Sequence, residues 1–530
     1  MTKLSTCAAL VAASVSFAAT ASAQIRDASV TGGTVAGVVS NGVASFKGIP
    51  FAAPPVGSLR WKAPQPAQPW TGVKQASDYG ASCMQDPNFA KIFGATAPIS
   101  EDCLYLNVWT PARTAGDKLP VMVWIYGGGF VGGMTSISGY DGTRLAEKGV
   151  VLVSVAYRLG VFGFLAHPEL SKESGKGSGN YGLQDMIAGL QWVKANIAKF
   201  GGDPSRVTIF GESAGGIAVS MLAASPAAKG LFARAISESG GNFGPPRLAN
   251  EGGATGPPLK VAEASGQAFL AKLGANDMTS ARDLPAEKLQ MALGPGLQGG
   301  FWPVFDGDVL PGDQYELYQA KRFNDTAVLI GTNSDEGALF APPGATPALF
   351  EQFVRPGFAR HADAILAAYP HATNEEAAKA TRDLLRDATF AWPTWAWAML
   401  QTKHGMGKAF VYYFDHRTPQ SPNGANHAAE IGYVFKNLGS PGGGPVGLQG
   451  PPRAEDVAMS DLLSSYWVNF AKTGDPNGPG LPTWPAFSVA AQSAMHFDTK
   501  SSARPVPNMT QLKALDAYFA WRREETKAKK

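Results

Sequence analysis

The distribution of apolar residues along this chain predicts alternating strands and helices. Val150–Tyr157 is an almost unbroken apolar run, which is typical of a strand buried on both faces of a sheet. Leu119–Tyr126 is also mostly apolar and predicts a second strand. Between Leu183 and Phe200 apolar residues recur at helical spacing, which predicts an amphipathic helix. The apolar face of that helix consists of Met186, Ile187, Leu190, Val193 and Ile197.

Further strands follow from the same reasoning, and turn residues mark where they reverse. Asn41-Gly42 stands between apolar residues and predicts a tight hairpin. The later predicted strands are Val207–Phe210, Ala233–Ser237, Ala327–Ile330, Ala409–Phe414 and Met495–Phe497. Because these strands alternate with helical segments, we expect an α/β fold with a mostly parallel central sheet and helices on both faces.

Two stretches do not follow the alternation. Residues 241–300 are rich in Gly, Pro and Ala around a helical segment at Leu259–Leu273, and residues 346–406 are mainly helical. We interpret both as insertions that form a lid and pocket walls. Residues 441–452 are a Gly/Pro-rich stretch that predicts a flexible loop.

Several aromatic residues stand in or near these stretches. They could line a pocket or belong to the core, and their pattern does not distinguish the two. They are Phe130, Phe301, Trp302, Trp392, Trp395 and Trp397.

The first residues have the features of an export signal. Lys3 precedes a short apolar run, and Ala21-Ser22-Ala23 matches a signal-peptidase site. A retained anchor is the alternative, but the run is too short to span a bilayer. We therefore expect a signal peptide over residues 1–23, a single domain over residues 24–530, and a periplasmic or secreted protein.

Composition narrows the function classes. The chain is 45% hydrophobic and 16% charged, which is typical of a compact enzyme rather than a disordered protein. The net charge is +3 and the basic residues cluster only at the extreme C-terminus, so nucleic acid is not an expected partner. No later segment predicts a membrane anchor, and nothing indicates the oligomeric state.

Two cysteines, Cys83 and Cys103, remain after the predicted signal peptide. An even pair in an exported chain is expected to be bridged. A metal site is not expected, because one pair without nearby histidines supplies half a ligand set.

The segment Gly211-Glu212-Ser213-Ala214-Gly215 carries the clearest chemistry. It follows a predicted strand and precedes a run of small helical residues, which is the context of a nucleophile elbow. Glycines flank the serine because the turn leaves no room for a Cβ. Such a turn exposes Ser213 Oγ and points the Ala214 N–H at the attacked carbonyl.

A serine nucleophile needs a base and an orienting acid. In the strand–elbow–helix arrangement the acid and then the histidine follow the serine, so His427 is a candidate, with His404 and His416 as competitors. Asp335 or Glu336, in the turn after the predicted strand Ala327–Ile330, would serve as the acid.

A glycine run supplies candidate oxyanion donors. Gly127-Gly128-Gly129 follows the predicted strand Leu119–Tyr126, and glycines let backbone N–H groups approach a substrate closely. Gly128 and Gly129 are the candidates, together with Ala214. A phosphate-binding role is not indicated, because no Gly-Lys-Ser/Thr follows.

These segments together resemble the type-B carboxylesterases, the carboxylesterase/cholinesterase branch of the α/β-hydrolase fold. Residues 200–216 resemble the family's serine signature without a gap, and Glu101-Asp102-Cys103-Leu104-Tyr105-Leu106-Asn107-Val108 resembles its second signature. Residues 46–57 and 467–477 resemble its N-terminal and C-terminal segments. The similarity covers nearly all of the expected mature chain.

The resemblance implies a role for each candidate. The family's acid falls on Glu336 and its histidine on His427, while its three-donor oxyanion hole falls on Gly128, Gly129 and Ala214. Its first disulfide falls on Cys83 and Cys103. Ser239 resembles a serine that supports the triad in the family.

The same resemblance has limits. Cholinesterases carry a tryptophan between the first two cysteines, and residues 84–102 contain none, so choline-ester specificity is not implied. The remaining disulfides of the animal enzymes are also missing, which fits a bacterial-type esterase. We therefore expect a cofactor-free serine carboxylesterase for small esters. A non-catalytic binding module and a lipase for long-chain glycerides are the alternatives.

Overall fold

The computed structural model describes residues 24–94, 97–248, 255–294, 300–439 and 450–528. The expected signal peptide and most of the Gly/Pro-rich stretch lie outside these ranges. The strands are β1 (Asp27–Val30), β2 (Gly33–Ala36), β3 (Val38–Ser40), β4 (Val43–Pro50), β5 (Val73–Gln75), β6 (Ser82–Cys83), β7 (Ile99–Ser100), β8 (Tyr105–Thr110), β9 (Leu119–Ile125), β10 (Val151–Val155), β11 (Gly202–Glu212), β12 (Arg234–Glu238), β13 (Ala327–Asn333), β14 (Ala409–Phe414), β15 (Ser493–Phe497) and β16 (Ser502–Pro505).

Helices lie between and after these strands, and each of the strands predicted from the sequence is confirmed. The helices are α1 (Pro87–Ile92), α2 (Thr143–Ala146), α3 (Gly160–Phe164), α4 (Pro168–Ser174), α5 (Tyr181–Asn196), α6 (Ala214–Ala224), α7 (Leu259–Lys272), α8 (Met278–Arg282), α9 (Ala286–Met291), α10 (Gln314–Gln319), α11 (Pro347–Phe358), α12 (Ala362–Ala368), α13 (Asn374–Arg386), α14 (Trp392–His404), α15 (Ile431–Phe435), α16 (Ala454–Thr473) and α17 (Met509–Ala528). Within the described ranges every helix is too short or too polar to cross a bilayer.

The central sheet has 11 strands in the order β16-β15-β14-β13-β12-β11-β9-β10-β8-β4-β3 among the described residues. Its middle pairings, from β10 through β9, β11, β12, β13 and β14 to β15, are parallel, and its outer pairings are antiparallel. This is the α/β-hydrolase fold. The predicted Asn41-Gly42 hairpin joins β3 to β4, and both turn residues have positive φ, as the turn requires.

The parallel register positions the functional loops. Strands β9, β11, β12, β13 and β14 end at the same edge of the sheet, because their carboxyl ends point the same way. Glycine 211 pairs with Ile125, and Glu212 pairs with Glu238. The segments that follow these strands therefore meet above one edge.

Helix α6 is buried along its whole length against the sheet. Its first turn contains only small residues, and the approach to the sheet is close. A Cβ on Gly216 would lie 2.7 Å from the Ser237 hydroxyl oxygen. Small side chains in α6 are therefore what allow the helix to start directly at the end of β11.

The two predicted insertions have different positions. Helices α7–α9 pack into a small apolar cluster with Trp61 and Phe162. Helices α11–α14 pack on the larger core, where Trp392 and Trp397 are fully buried. Trp392 contacts Phe519, with ring centroids 4.3 Å apart. The tryptophan cluster is thus core packing.

Candidate active site

The turn between β11 and α6 holds Ser213 in a strained conformation. Its φ of 55° lies in the left-handed region that non-glycine residues rarely adopt. A Cβ on Gly215 would lie 2.0 Å from the Ile125 carbonyl oxygen, and one on Gly211 would lie 2.6 Å from it. The Ser213 N–H donates to the Glu238 carbonyl at 2.9 Å. The sharp turn predicted from the sequence is therefore present, and both flanking glycines are needed.

A buried hydrogen-bond chain ends at His427. Its Nδ1 lies 2.5 Å from Glu336 Oε2, and Glu336 is completely buried. The other carboxylate oxygen of Glu336 accepts from the Ser239 hydroxyl at 2.5 Å and from the Asn333 N–H at 2.7 Å. These donors hold the carboxylate in one orientation, and the carboxylate in turn fixes the imidazole.

The candidates that the residue pattern left open lie in different surroundings. Asp335 faces Arg382, with 3.2 Å between Oδ1 and Nε, so of Asp335 and Glu336 it is Glu336 that contacts His427. His416 pairs with Asp456 at 2.7 Å. Neither His416 nor His404 lines the cavity described next.

Five of the candidate residues line one cavity of about 330 Å³. Ser213, His427, Gly128, Gly129 and Ala214 all line it. The other lining residues are Phe89, Phe93, Gly127, Gly133, Ile137, Tyr140, Glu212, Ile217, Trp302, Leu339, Phe340, Leu385, Thr389, Phe390 and Ala428. A nucleophile, a base held by an acid, and glycine-rich backbone therefore converge on one cavity.

A sequence profile of the carboxylesterase family matches residues 20–516. The chain belongs to the carboxylesterase family. It is 37% identical over 470 residues to the fumonisin B1 esterase of Sphingopyxis macrogoltabida, covering 86% of this chain and 83% of that protein. It is 36% identical over 492 residues to the para-nitrobenzyl esterase of Bacillus subtilis (strain 168), covering 88% and 94%. A solved PNB esterase structure superposes with a TM-score of 0.80 at 34% identity, covering 93% of this chain and 99% of that one.

The protein is accordingly a carboxylesterase and an ester hydrolase of the serine type. The non-catalytic alternative is not supported, because these relatives are esterases.

The walls of the carboxylesterase cavity are mainly apolar, and their aromatic residues come from distant segments. Phe89 and Phe93 lie in the loop between the two cysteines, and Trp302, Phe340 and Phe390 complete the wall. Phe130 does not line the cavity and packs edge-on against Trp302, with centroids 5.1 Å apart. Phe301 packs on Phe269 at 5.2 Å, outside the cavity. Of the aromatic residues singled out from the sequence, Trp302 is the one that lines the cavity.

Three buried carboxylates near the site were not singled out from the sequence. Glu212 Oε1 lies 3.1 Å from His427 Nε2, and Glu430 Oε2 accepts from the Asn333 amide at 2.5 Å. Glu238 accepts from the Trp467 indole N–H at 2.7 Å. Nothing in a single sequence marks these glutamates as buried, although Glu212 stands beside the nucleophile and Glu430 shortly after His427.

Burial and mutual repulsion raise the pKa of all three carboxyl groups above the ordinary glutamate value, with burial the larger cause. Burial alone would lower the pKa of His427. The negative charges of Glu212 and Glu336, together with the hydrogen bond that His427 donates to Glu336, outweigh it, so the pKa of His427 is raised. The site therefore favours the imidazolium form.

The disulfide that the resemblance implied is present between Cys83 and Cys103, which are 20 residues apart.

Removing the disulfide with Cys83→Ser/Cys103→Ser should lower the unfolding free energy by about 3 kcal/mol, and the melting temperature by a few degrees. Because Phe89 and Phe93 lie in the closed loop, KM for apolar esters should rise while kcat changes little. Calorimetry and steady-state kinetics check both. Reductant should reproduce the effect on the wild type and leave the variant unchanged; an unaltered KM would show that the loop wall does not need the bridge.

Proposed function

We propose that this carboxylesterase hydrolyses small esters through an acyl-enzyme on Ser213. His427 takes the proton from Ser213 Oγ as Oγ attacks the ester carbonyl. The N–H groups of Gly128, Gly129 and Ala214 stabilise the oxyanion. The His427 imidazolium then protonates the leaving alcohol, and water repeats the sequence on the acyl-enzyme to release the acid.

The observation that carries this proposal is the convergence of the strained Ser213 and the His427–Glu336 pair in one cavity. Glu336 would hold the imidazole in the tautomer that accepts a proton at Nε2 and would stabilise the imidazolium. Ser239 would support Glu336 by donating a hydrogen bond from its hydroxyl to one carboxylate oxygen. Because His427 bonds to the other oxygen, both oxygens of the carboxylate are then held in place.

The cavity also supports a substrate class. Its described lining residues include no lysine or arginine, and its charged groups are the carboxylate of Glu212 and the imidazole of His427. A free carboxylate bound there would be desolvated beside Glu212, and the only cation among the described lining residues, the His427 imidazolium, is already paired with Glu212 and Glu336. Binding it would be unfavourable by several kcal/mol. We infer that the groups flanking the ester bond are uncharged. Emulsified long-chain triglycerides would test the lipase alternative.

We further propose that the protein is exported. The disulfide and the signal-like first 23 residues support an oxidising compartment. Mass spectrometry of the exported protein would then find Gln24 as its first residue, and an intact Met1 would contradict this.

Replacement of the nucleophile tests the mechanism directly. Ser213→Ala should lower kcat for 4-nitrophenyl acetate by about 10⁴-fold to 10⁶-fold, because no other group can form the acyl-enzyme. A fluorophosphonate probe should label the wild type once, at Ser213, as read by peptide mass spectrometry. Labelling of another serine, or substantial turnover by a folded Ser213→Ala variant, would rule the assignment out.

Asp335 and Glu336 are adjacent acidic residues, so their amide variants form a matched pair of substitutions. Glu336→Gln should lower kcat by roughly 10⁴-fold, since the amide no longer holds the imidazole as a carboxylate does. Asp335→Asn should have a much smaller effect, because Asp335 pairs with Arg382 and not with His427. Steady-state kinetics measures the effect of each substitution on kcat, and circular dichroism checks that both variants are folded. Equal losses would mean that the turn, not the Glu336 carboxylate, is what matters.

The charge of Glu212 should set the pH dependence. Its carboxylate favours the imidazolium, so it raises the pKa of His427 and limits activity at low pH. Glu212→Gln removes this charge, so the midpoint of the acid limb of kcat/KM should move to lower pH by roughly one unit. The surface variant Glu147→Gln is the control. A midpoint that stays fixed or moves to higher pH would show that Glu212 does not act on His427 in this way.

A further inference from the structure

The long helical segment over residues 374–404 is interrupted by one wide turn. Helix α13 leads into a π-turn at Asp387–Ala391, and α14 follows. The Trp392 N–H donates to the Asp387 carbonyl, five residues earlier. Pro393 follows at once, and a proline at that place in a regular helix would press against the carbonyl of Thr389. The wide turn relieves that contact, and such turns occur often at functional sites.

The π-turn changes which residues share a face. In a regular α-helix the fifth residue along points about 140° away from the first. The bond between Trp392 and Asp387 closes a wider turn, in which each residue advances by less than the 100° of a regular α-helix. Leu385 and Phe390 both line the cavity, together with Thr389. Because Phe390 lies inside the wide turn, the turn rotates it toward the cavity face that carries Leu385.

Phe390 contacts the candidate base. Its ring lies 4.7 Å from the His427 ring, with an angle of 29° between the planes. Phe340 also contacts His427, edge-on at 5.2 Å. Phe340 is 37% exposed, whereas Phe390 is 3% exposed. Of these two rings, Phe390 is the one that surrounding protein holds in place.

An ion-pair network anchors the π-turn to the turn that carries Glu336. The buried Asp387 carboxylate accepts from Arg386 Nε at 2.8 Å and from the Tyr369 hydroxyl at 3.0 Å. Arg386 Nη1 donates to the Ser334 carbonyl at 2.9 Å. Ser334 stands two residues before Glu336, so one network fixes both turns.

The contact between these two turns is also sterically close. A Cβ on Gly337 would lie 2.0 Å from the Arg382 carbonyl oxygen. Arg382 Nε donates to Asp335 at 3.2 Å on the same side. Helix α13 therefore has little freedom to move relative to the Glu336 turn.

We propose that the π-turn Asp387–Ala391 is a positioning element of the active site, which holds Phe390 against His427 and thereby orients the imidazole and limits the substrate group that fits beside it. Phe390 is a positioning and specificity-determining residue in this scheme, and Asp387, Arg386 and Tyr369 act through it. The inference rests on the proposed role of His427 as the base.

Removal of the ring is the first test. Phe390→Leu should lower kcat for 4-nitrophenyl acetate by about tenfold to a hundredfold, with a smaller change in KM, because the imidazole loses its fixed orientation. Phe390→Tyr keeps the ring and should retain most of the activity. Phe350→Leu is the matched control, since Phe350 is also buried and packs on a histidine, His371, at 5.1 Å.

Two further readouts distinguish positioning from loss of stability. In a panel that varies acid and alcohol size separately, Phe390→Leu should raise the kcat/KM ratio of bulky to small esters on one side of the ester bond. In ¹³C-histidine NMR the Cε1–H resonance of His427 should move downfield in Phe390→Leu, because the shielding ring is gone. In Phe350→Leu only the His371 resonance should move.

The anchor is tested without altering the cavity wall. Tyr369→Phe removes one hydrogen bond to Asp387, and should lower kcat and move the His427 resonance in the same direction as Phe390→Leu, by less. Tyr466→Phe is the control, because its hydroxyl bonds to the Pro482 carbonyl, away from the site. Fluorophosphonate labelling at Ser213 counts active enzyme in every variant.

The possible results separate the two proposals. If Ser213 is labelled and Phe390→Leu behaves like Phe350→Leu in kcat, ester selectivity and the His427 resonance, the positioning role is wrong while the proposed mechanism stands. If Phe390→Leu does not fold, Tyr369→Phe and Phe390→Tyr decide the matter, and a Tyr369→Phe variant identical to Tyr466→Phe overturns the inference. Absence of labelling at Ser213 would instead overturn the proposed mechanism.

Discussion

The close approach of α6 to the end of β9 is the constraint on which the rest of the site depends. Gly211 and Gly215 leave the Ile125 carbonyl just enough room, and the chain between them must pass through a strained conformation at Ser213. The strain is maintained because the sheet on one side and a fully buried helix on the other leave no alternative path. Every other functional segment is placed relative to that fixed point.

The sheet supplies the second level of organisation. The parallel strands β9, β11, β12, β13 and β14 deliver five loops to one edge, so residues more than 200 positions apart meet there. The nucleophile, the acid and the base each follow a different strand. A fixed register between neighbouring strands therefore becomes a fixed geometry between side chains, which is what acid–base chemistry requires.

Buried carboxylates dominate the electrostatics of the active site in this carboxylesterase. Glu336, Glu212, Glu238 and Glu430 are all buried, and the first two contact the His427 imidazole. Carboxylates are rarely buried in this number, because desolvation is unfavourable unless each group is paired or protonated. Hydrogen bonds from Ser239, Asn333 and Trp467 offset part of that penalty. The remainder is expressed as raised pKa values of Glu212, Glu238 and Glu430, and the imidazolium form of His427 is favoured.

The sequence by itself determined the strands, the α/β class and the candidate residues, because these depend on local periodicity and on compact motifs such as Gly211–Gly215. The α/β-hydrolase fold came from the resemblance of such motifs to a known family. The choice between Asp335 and Glu336, and between His427 and the other histidines, came from family resemblance and agrees with the contacts observed. Only the tertiary structure decided which aromatic residues form walls: Trp392 and Trp397 turned out to be core, while Phe89, Phe93 and Phe390 line the cavity. The same holds for the buried glutamates and the π-turn. A residue's environment is set by segments far away in the chain, and no local pattern carries that information.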